Sequence, residues 1–392
     1  MKTGKIIYPL YVFFLLLISL AGLEWGARLR HEKAYLAANI QKDPVFHHRL
    51  GPHTRGTMSS EGDFDDTFVT NDRGMRGPGD YAYEKKEGVT RIAVMGDSFT
   101  FGVGVRAEET FSARLQRRLE EAQPGRYEVL NFGVSSFSPV LEYIYLKKEV
   151  AQYRPDRLIL ALDLCDVQDD YFYEKHLVYD KDGEIVACDP FRLHGGPDIW
   201  AVLKERSMLC AILDEKVLQS FKKMKTIGFA KYFENKRNKV RNKTAILLDP
   251  KSDNIEFDRF LFAREAKDEA IVRRHWERTA KYLSMIKEFC DGHSIRLLLA
   301  PYPYGHEVGP EEWSKGREYW GFEKGRVDDA SRSFAMIGAF AREKGIDWVS
   351  LLEPMKAHEN GKLYYHNDGH WTADGHRVAA EALFEKLNKE GL

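Results

Sequence analysis

The feature that most restricts the fold is a regular alternation of short apolar runs with segments of helical periodicity. Each run is apolar over nearly its whole length, which is typical of strands buried on both faces by helices. Strands and helices that alternate in this way, joined by right-handed crossovers, predict an α/β fold with a doubly wound, mostly parallel sheet. The predicted strands are residues 91–95, 127–131, 156–164, 295–300 and 346–351.

The alternation is interrupted in the middle of the chain, and this divides the sequence into parts. Residues 89–187 and 294–392 carry the predicted strands and form one α/β domain. Residues 188–293 are highly charged and mainly helical in pattern, so we predict a helical insertion. Residues 41–88 are rich in Gly, Pro, Asp and Arg, so we predict an irregular lead-in over residues 25–88.

The N-terminal segment differs sharply from the rest of the chain. Residues 6–23 carry no charged side chain and are just long enough to span a bilayer. We therefore predict a transmembrane helix in residues 1–24, with the remaining chain outside the cytosol, in the periplasm or at the cell surface. The alternative is a cleaved signal peptide with Ser19-Leu20-Ala21 at its cleavage site.

Charge and cysteine content limit the classes of partner. The chain has 392 residues, with 59 Lys and Arg against 60 Asp and Glu, so its net charge is −1. This balance argues against nucleic acid as an obligate partner. The four cysteines lack metal-site spacing, although Cys188 and Cys210 could pair in an oxidising compartment. We expect neither a metal nor another cofactor.

Polar and small residues follow the predicted strands at their carboxyl ends, where open α/β sheets bind ligands. The first strand runs into Gly-Asp-Ser, which ends at Ser98, and the second strand is followed by Gly133. Cys165 and Asp166 follow the third strand. A serine in this place is either an ordinary turn residue or a nucleophile, and a nucleophile needs a base and oxyanion donors.

The C-terminal stretch contains residue types that could supply the base. Asp368 and His370 are two positions apart, so in extended chain both side chains point to the same side. We predict that Ser98 is the nucleophile, His370 the general base and acid, and Asp368 the carboxylate that orients the imidazole. The predicted oxyanion donors are the backbone N–H groups of Ser98 and Gly133, because glycine allows close approach to the backbone.

Other readings of the same residues stay open. His366, Asp368, His370 and His376 could form a metal cluster, but their spacing matches no standard zinc pattern. Three further residues near predicted strand ends are candidates for substrate binding: Asp97, Asp166 and Trp371. Asp97 could instead cap the turn that follows it, and ordinary packing explains Trp371 about as well as contact with a sugar ring.

These motifs resemble the SGNH/GDSL hydrolase superfamily. The resemblance rests on GDSFTFG at residues 96–102, on Gly133 and on the C-terminal acid–histidine pair, and it covers residues 91–170 and 295–392. The form Asp-Gly-His-Trp-Thr resembles the branch that contains the periplasmic alginate O-acetylation proteins. The resemblance implies a flavodoxin-like SGNH fold and an ester hydrolase or O-acyltransferase with a serine nucleophile.

One position departs from the family pattern. The family usually has an asparagine that donates to the oxyanion, whereas the matching residue here is Cys165, whose thiol is a weak donor. Three explanations are open: backbone donors suffice, another side chain substitutes for the asparagine, or activity is reduced.

Three hypotheses of function follow. The first is a membrane-anchored, extracytoplasmic esterase or O-acetyltransferase that acts on a carbohydrate or polysaccharide through an acyl-enzyme at Ser98. Acyl-CoA is cytosolic, so an exported transferase would need a multipass membrane partner that delivers the acyl group. The second is a lipid or small-ester hydrolase with the insertion as a lid. The third, motivated by Cys165, is a non-catalytic carbohydrate-binding relative.

Overall fold

The structure, a computed structural model, describes residues 4–31, 40–77, 79–194, 196–214, 218, 258–263 and 268–391. The chain divides into two compact units. One contains Met1–Ala34 and Phe191–Leu248, and the other contains Tyr35–Pro190 and Asp249–Leu392. Much of the predicted insertion at residues 188–293 lies outside the described residues.

The β-strands of the described residues follow in chain order. They are β1 Ile40–Asp43, β2 His47–Leu50, β3 Arg55–Ser60, β4 Phe64–Val69, β5 Thr90–Gly96, β6 Tyr127–Gly133, β7 Arg157–Asp163, β8 Leu177–Tyr179, β9 Ile185–Cys188, β10 Arg192–Leu193, β11 Gly196–Pro197, β12 Arg296–Tyr302 and β13 Asp347–Trp348.

The α-helices of the same residues are α1 Gly4–His31, α2 Ser98–Phe101, α3 Phe111–Ala122, α4 Pro139–Lys148, α5 Asp166–Tyr173, α6 Ile199–Arg206, α7 Met208–Leu213, α8 Glu269–Gly292, α9 Gly305–Val308, α10 Gly316–Tyr319, α11 Ser331–Lys344, α12 Leu352–Lys356 and α13 Ala373–Lys389. Short 3-10 helices occur at Ala107–Glu109, Val150–Tyr153 and Glu174–His176.

A five-stranded parallel sheet forms the centre of the larger unit. Its strand order is β6-β5-β7-β12-β13, and its strand pairs are parallel. Numbered along the chain, these strands are arranged 2-1-3-4-5, which is the flavodoxin-like winding. The predicted α/β class and mostly parallel sheet are confirmed, and β5 lies inside the sheet with a partner strand on each edge.

The burial of β5 explains why this segment is a strand. Ile92, Ala93, Val94 and Met95 have no exposed surface, as expected where helices cover both faces of a sheet. Around the sheet, α3 packs against α13, and α8 packs against α4 and α5. The apolar run thus forms the middle of the core, and its carboxyl end leads directly into Asp97 and Ser98.

Helix α8 buries apolar side chains that are spaced three and four residues apart. Its buried face includes Val272, Trp276, Leu283, Ile286 and Cys290. The helix begins after Asp268, whose carboxylate accepts the N–H groups of the first turn. The predicted insertion, residues 188–293, includes α8. In the structure, however, α8 packs against α4 and α5 of the sheet-containing unit.

Regular structure is present in part of the predicted irregular lead-in. β1 pairs with β2 and β3 pairs with β4, both antiparallel. Leu50, Met58 and Phe68 from these hairpins form a small apolar cluster with Phe101 and Val103, which follow β5 in the chain. The hairpins are therefore folded onto the segment that begins at Ser98.

The smaller unit contains α1, α6, α7 and the short pair β10–β11. Within it, the Glu24 carboxylate accepts from the Ser207 hydroxyl at 2.9 Å and from the Leu209 N–H at 3.0 Å. No helix in the part of the chain that the structure describes is long and apolar enough to cross a membrane. The thiols of Cys165, Cys188, Cys210 and Cys290 are all free.

Candidate active site

Ser98 lies where β5 ends, as the first residue of α2. Asp97 precedes it and caps the helix, because its carboxylate accepts the Phe99 N–H at 2.9 Å. The Tyr302 hydroxyl donates to the same carboxylate oxygen at 2.9 Å. The N–H of a first helical residue has no partner inside its own helix, so the Ser98 N–H is available to a ligand.

The structure brings the three predicted catalytic side chains together. The Ser98 Oγ lies 2.7 Å from His370 Nε2, and His370 Nδ1 contacts Asp368 Oδ1. The Phe99 ring packs 4.7 Å from the imidazole, measured between ring centroids. Ser98 is half-buried, and the side chains of His370 and Asp368 are 21% and 26% exposed, so solvent reaches this group of side chains.

The charges of the pair support the assignment of His370 as a base. Burial by itself would lower the pKa of His370, but the Asp368 carboxylate, through its charge and hydrogen bond, raises that pKa above the ordinary value. Burial would raise the pKa of Asp368, but the imidazole lowers it below its ordinary value. Asp368 is therefore ionised and stabilises the imidazolium that forms when His370 takes a proton.

Asp63, a residue that the sequence does not point to, holds the loop of His370. The Asp63 carboxylate, in the turn between β3 and β4, accepts backbone N–H groups from His366 at 3.1 Å, Asn367 at 2.8 Å and Asp368 at 2.7 Å. Three amide donors on one carboxylate fix the backbone just before the catalytic imidazole. An aspartate in a hairpin turn gives no local signal of such a role, because its partners lie about 300 residues further along the chain.

Gly369, between the two catalytic residues, is required by the local backbone. Its φ is +93°, in the region that favours glycine. An added Cβ would lie 2.6 Å from Trp313 Nε1. The buried indole and the left-handed turn together hold Asp368 and His370 on the same side of the loop.

The N–H of Gly133, a predicted oxyanion donor, has an acceptor within the protein. Its N–H already donates to Asn131 Oδ1 at 2.9 Å. Its α-carbon lies against the backbone of α2, where an added Cβ would be 2.2 Å from the Phe101 nitrogen. The absence of a side chain at Gly133 allows β6 to approach α2 closely, and this close packing is the physical reason for a glycine at this position.

Cys165 is also not placed to contact a ligand. The residue has no exposed surface, and its N–H donates to Asp163 Oδ1 at 2.8 Å. Burial, with a further contribution from the charge of Asp163, raises the pKa of its thiol well above the ordinary value. A neutral, enclosed thiol is a poor nucleophile, so Ser98 is the nucleophile that the geometry favours.

The three candidates for substrate binding are buried as well. Asp97 caps α2, Asp166 accepts the Asp163 N–H at 3.0 Å, and the Trp371 ring packs 5.0 Å from Phe99. These side chains support the site from inside the protein and do not reach a substrate. Nearby, burial and the charge of Asp97 raise the pKa of Asp163 to about 7, while the Tyr304 hydroxyl donates to both its oxygens.

The histidines that could have formed a metal cluster have separate partners. His376 Nδ1 accepts the Phe111 N–H at 3.1 Å, and His366 Nδ1 contacts the Ser314 hydroxyl. Across the described residues, no group of three or more His, Cys, Asp or Glu side chains could hold a metal ion. The arrangement can carry out nucleophilic acyl transfer with the chain's own side chains.

The C-terminal part of the chain matches a known family model. Residues 257–392 match the family model described as "SGNH hydrolase-like domain, acetyltransferase AlgX". The matched region contains Asp368 and His370 but not Ser98. It confirms the predicted resemblance to SGNH hydrolases and the ester hydrolase or acetyltransferase class. No match was found among curated protein sequences.

Several solved structures are similar at low identity. An acetyl xylan esterase, AlAXEase, is 13% identical, with 77% of this chain and 100% of the other covered and a TM-score of 0.38. TesA is 12% identical, with coverage of 76% and 99% and a TM-score of 0.38. A putative lipolytic protein of the G-D-S-L family from Desulfitobacterium hafniense is 13% identical, with coverage of 76% and 99% and a TM-score of 0.36. Similarity at this level carries no inference about substrate.

Proposed function

Because this chain carries the SGNH hydrolase-like domain of an ester hydrolase or acetyltransferase, we propose that it transfers an acyl group of a carbohydrate ester through an acyl-enzyme at Ser98. The observation that carries this proposal is the 2.7 Å contact between Ser98 Oγ and His370 Nε2, with Asp368 on the other imidazole nitrogen. This arrangement activates a hydroxyl nucleophile.

The reaction follows from the positions of these groups. His370 Nε2 takes the proton of Ser98 as Oγ attacks the ester carbonyl, and the Ser98 N–H faces the oxygen that becomes negative. His370 then gives the proton to the departing alcohol, which leaves the acyl group on Oγ. Water or a sugar hydroxyl, deprotonated by His370, attacks the acyl-enzyme and releases a carboxylic acid or a new ester.

Labelling with a fluorophosphonate tests the nucleophile. The reagent should modify Ser98 in the wild type and should fail to modify Ser98→Ala. His370→Ala should label far more slowly, because the serine has lost its base. Both variants should keep the circular dichroism spectrum of the wild type. Labelling of Ser98→Ala elsewhere, or full acyl turnover by either variant, would contradict the assignment.

Product analysis separates the two reactions that the acyl-enzyme permits. We propose an acetylated carbohydrate as the substrate, a proposal supported by the acetyltransferase description of the matched family. Release of acetate from an acetylated oligosaccharide in water identifies an esterase. Appearance of the acetyl group on an added acceptor sugar identifies a transferase. Turnover of p-nitrophenyl acetate and long-chain esters alone would favour the lipid or small-ester hydrolase instead.

We further propose that the protein acts outside the cytosol, held at the membrane through its N-terminal segment. The support for this location is the uncharged stretch at residues 6–23. An exported transferase would then receive its acyl group from a multipass membrane partner. Fractionation and protease treatment of intact and permeabilised cells test the location: protection of the catalytic domain until the inner membrane is opened would contradict it.

A further inference from the structure

The hydroxyl of Ser98 has two acceptors within reach. Its Oγ lies 2.7 Å from His370 Nε2 and 3.2 Å from Asp97 Oδ2. A serine hydroxyl carries a single proton, so a hydroxyl that donates to Asp97 does not donate to His370. Only donation to His370 places the proton on the group that removes it when Oγ attacks a carbonyl carbon. The acceptor that the hydroxyl chooses therefore controls the reactivity of Ser98.

A buried tyrosine restrains the competing carboxylate. Tyr302, at the carboxyl end of β12, has no exposed surface, and its hydroxyl donates to Asp97 Oδ1 at 2.9 Å. The Phe99 N–H donates to the same oxygen at 2.9 Å. Two donors on Oδ1 fix the orientation of the carboxylate and draw its negative charge away from Oδ2, the oxygen that faces Ser98.

The position of the Tyr302 hydroxyl is itself fixed by packing. The Tyr302 ring lies 4.8 Å from Phe99 and 4.9 Å from Trp371, measured between ring centroids, and both neighbours are buried. Burial, with the charges of Asp163 and Asp97, raises the pKa of Tyr302 well above the ordinary value. The phenol therefore keeps its proton and acts as a donor to Asp97.

Asp97 also acts on the catalytic base. Burial lowers the pKa of His370, but Asp368 outweighs burial, and the charge of Asp97 raises this pKa further. Other carboxyl groups, on α4, β7 and α5, interact with Asp97 through their charges: Glu142, Asp163, Asp166 and Asp169. Burial, with a contribution from the charge of Asp97, raises the pKa of each of them. A change in the effective charge of Asp97 therefore changes the pKa of the imidazole.

We propose that Tyr302 is a positioning residue for the nucleophile, because it holds Asp97 so that the Ser98 hydroxyl donates to His370. The inference rests on the proposed acyl transfer and adds a residue that controls its first step. In that step the proton passes from Oγ to His370 Nε2 while Oγ bonds to the carbonyl carbon, and the π electrons of the carbonyl move to its oxygen. Neither Tyr302 nor Asp97 gains or loses a proton, and neither contacts the substrate.

Three variants and one control test the proposal in the full chain. Tyr302→Phe removes the hydroxyl and keeps the ring with its packing. Asp97→Asn removes the charge and keeps an oxygen that can accept the Phe99 N–H, and the third variant combines the two substitutions. The control is Tyr304→Phe, which removes a buried hydroxyl two residues further along the chain, where it donates to Asp163.

We expect Tyr302→Phe to lower the maximal rate of fluorophosphonate labelling by about 3- to 30-fold, because the Ser98 proton is then shared with Asp97. The reagent concentration at half the maximal rate should not change, since Tyr302 does not contact the reagent. The acidic limb of kcat/KM on p-nitrophenyl acetate should move to higher pH, because the less offset charge of Asp97 raises the pKa of His370. Tyr304→Phe should leave this limb where it is in the wild type.

The double variant separates an action through Asp97 from simple packing. In the Asp97→Asn background, Tyr302→Phe should cause little further loss of labelling rate and no shift of the acidic limb. Thermal melting of each variant measures stability separately from reactivity. Additive effects of the two substitutions, an acidic limb that does not move in Tyr302→Phe, or an equal shift in Tyr304→Phe would overturn the proposal.

The titration of His370 distinguishes failure of this inference from failure of the proposed function. If the wild type is not labelled and does not turn over p-nitrophenyl acetate, the acyl-transfer proposal fails. NMR titration of the His370 imidazole, whose signal is assigned by its loss in His370→Ala, then still decides the role of Tyr302. A higher pKa of His370 in Tyr302→Phe than in Tyr304→Phe supports the inference, and equal values reject it.

Discussion

His370 takes and returns the proton at each step of the proposed reaction, so its pKa sets the pH at which the enzyme works. The imidazole is a base only when neutral, and acyl transfer should therefore rise with pH through the pKa of His370. Burial opposes protonation, but Asp368 outweighs burial and holds this pKa above its ordinary value. The acidic limb of the rate profile should accordingly lie above the pKa of a free histidine.

Asp368→Asn should move that limb and lower the rate. Removal of the negative charge lowers the pKa of His370, so kcat/KM should reach its plateau at lower pH than in the wild type. The plateau itself should fall by a factor on the order of 10²–10⁴, because the imidazolium loses its partner. Initial rates with p-nitrophenyl acetate across a pH series measure both effects, and an acidic limb that stays in place would show that Asp368 does not act on His370.

At the level of elements, the close packing of β6 against α2 fixes the position of the nucleophile. Gly133 allows this approach, since an added Cβ would lie 2.2 Å from the Phe101 nitrogen and 2.5 Å from the Thr100 carbonyl carbon. Ser98 begins α2, so any displacement of the helix moves the serine relative to His370. A residue in a strand can thus control the site without contacting the substrate.

Gly133→Ala should therefore reduce stability and reactivity together. We expect a loss of about 1–3 kcal/mol in the free energy of unfolding from overpacking, and slower fluorophosphonate labelling of Ser98. Gly292→Ala is the control, because an added Cβ there meets no atom within 4 Å. Loss of activity in Gly133→Ala with an unchanged melting temperature would instead favour the oxyanion role expected from the sequence.

The hairpin β3–β4 acts on the loop of His370 through Asp63. Asp63→Ala would leave three backbone N–H groups without their acceptor, at a cost of about 1–3 kcal/mol. We expect kcat to fall, because the backbone before His370 is no longer held. Asp63→Asn, which keeps an acceptor oxygen, should recover part of the loss.

Asp65→Ala is the matched control for Asp63→Ala. Asp65 is exposed on β4 of the same hairpin, and its replacement removes the same charge without affecting the loop. Kinetic constants and thermal melting should match the wild type for Asp65→Ala. Equal effects of the two alanine substitutions would show that only the charge of the hairpin matters.

For the whole molecule, the site is assembled from distant parts of the chain. Ser98 follows the first strand of the sheet in chain order and His370 follows the last, so the site brings together residues from both ends of the α/β domain. The family match covers residues 257–392, which contain the base but lack β5, β6 and β7. We predict that a fragment of residues 257–392 does not fold alone, because the strands that bury β12 are missing.

Circular dichroism and hydrogen exchange of this fragment test the prediction, with the full chain as the control. The fragment should show little protected backbone. Cooperative unfolding of the isolated fragment, with a melting transition like that of the full chain, would show that the matched region is an independent domain.

The sequence predicts four strands of the sheet well, because these strands are mostly apolar and buried: β5, β6, β7 and β12. It also pairs Ser98 with His370, since both follow strands whose carboxyl ends lie at one edge of the sheet. It does not predict the role of Asp63, because that role depends on contacts between remote segments. For Gly133, the sequence indicates that a glycine is needed at this position. The structure adds the physical reason, which is the close packing of β6 against α2.

The place of β5 inside the sheet has a mechanical consequence. The backbone hydrogen bonds of a strand that is paired on both edges break only in the largest unfolding fluctuations of a protein. The nucleophile therefore follows one of the most rigid elements of the fold. Its base is attached to a loop held by one carboxylate and one indole. Binding of a ligand that shifts this loop should therefore change the distance between the Ser98 hydroxyl and the His370 imidazole, while the backbone hydrogen bonds of the sheet stay intact.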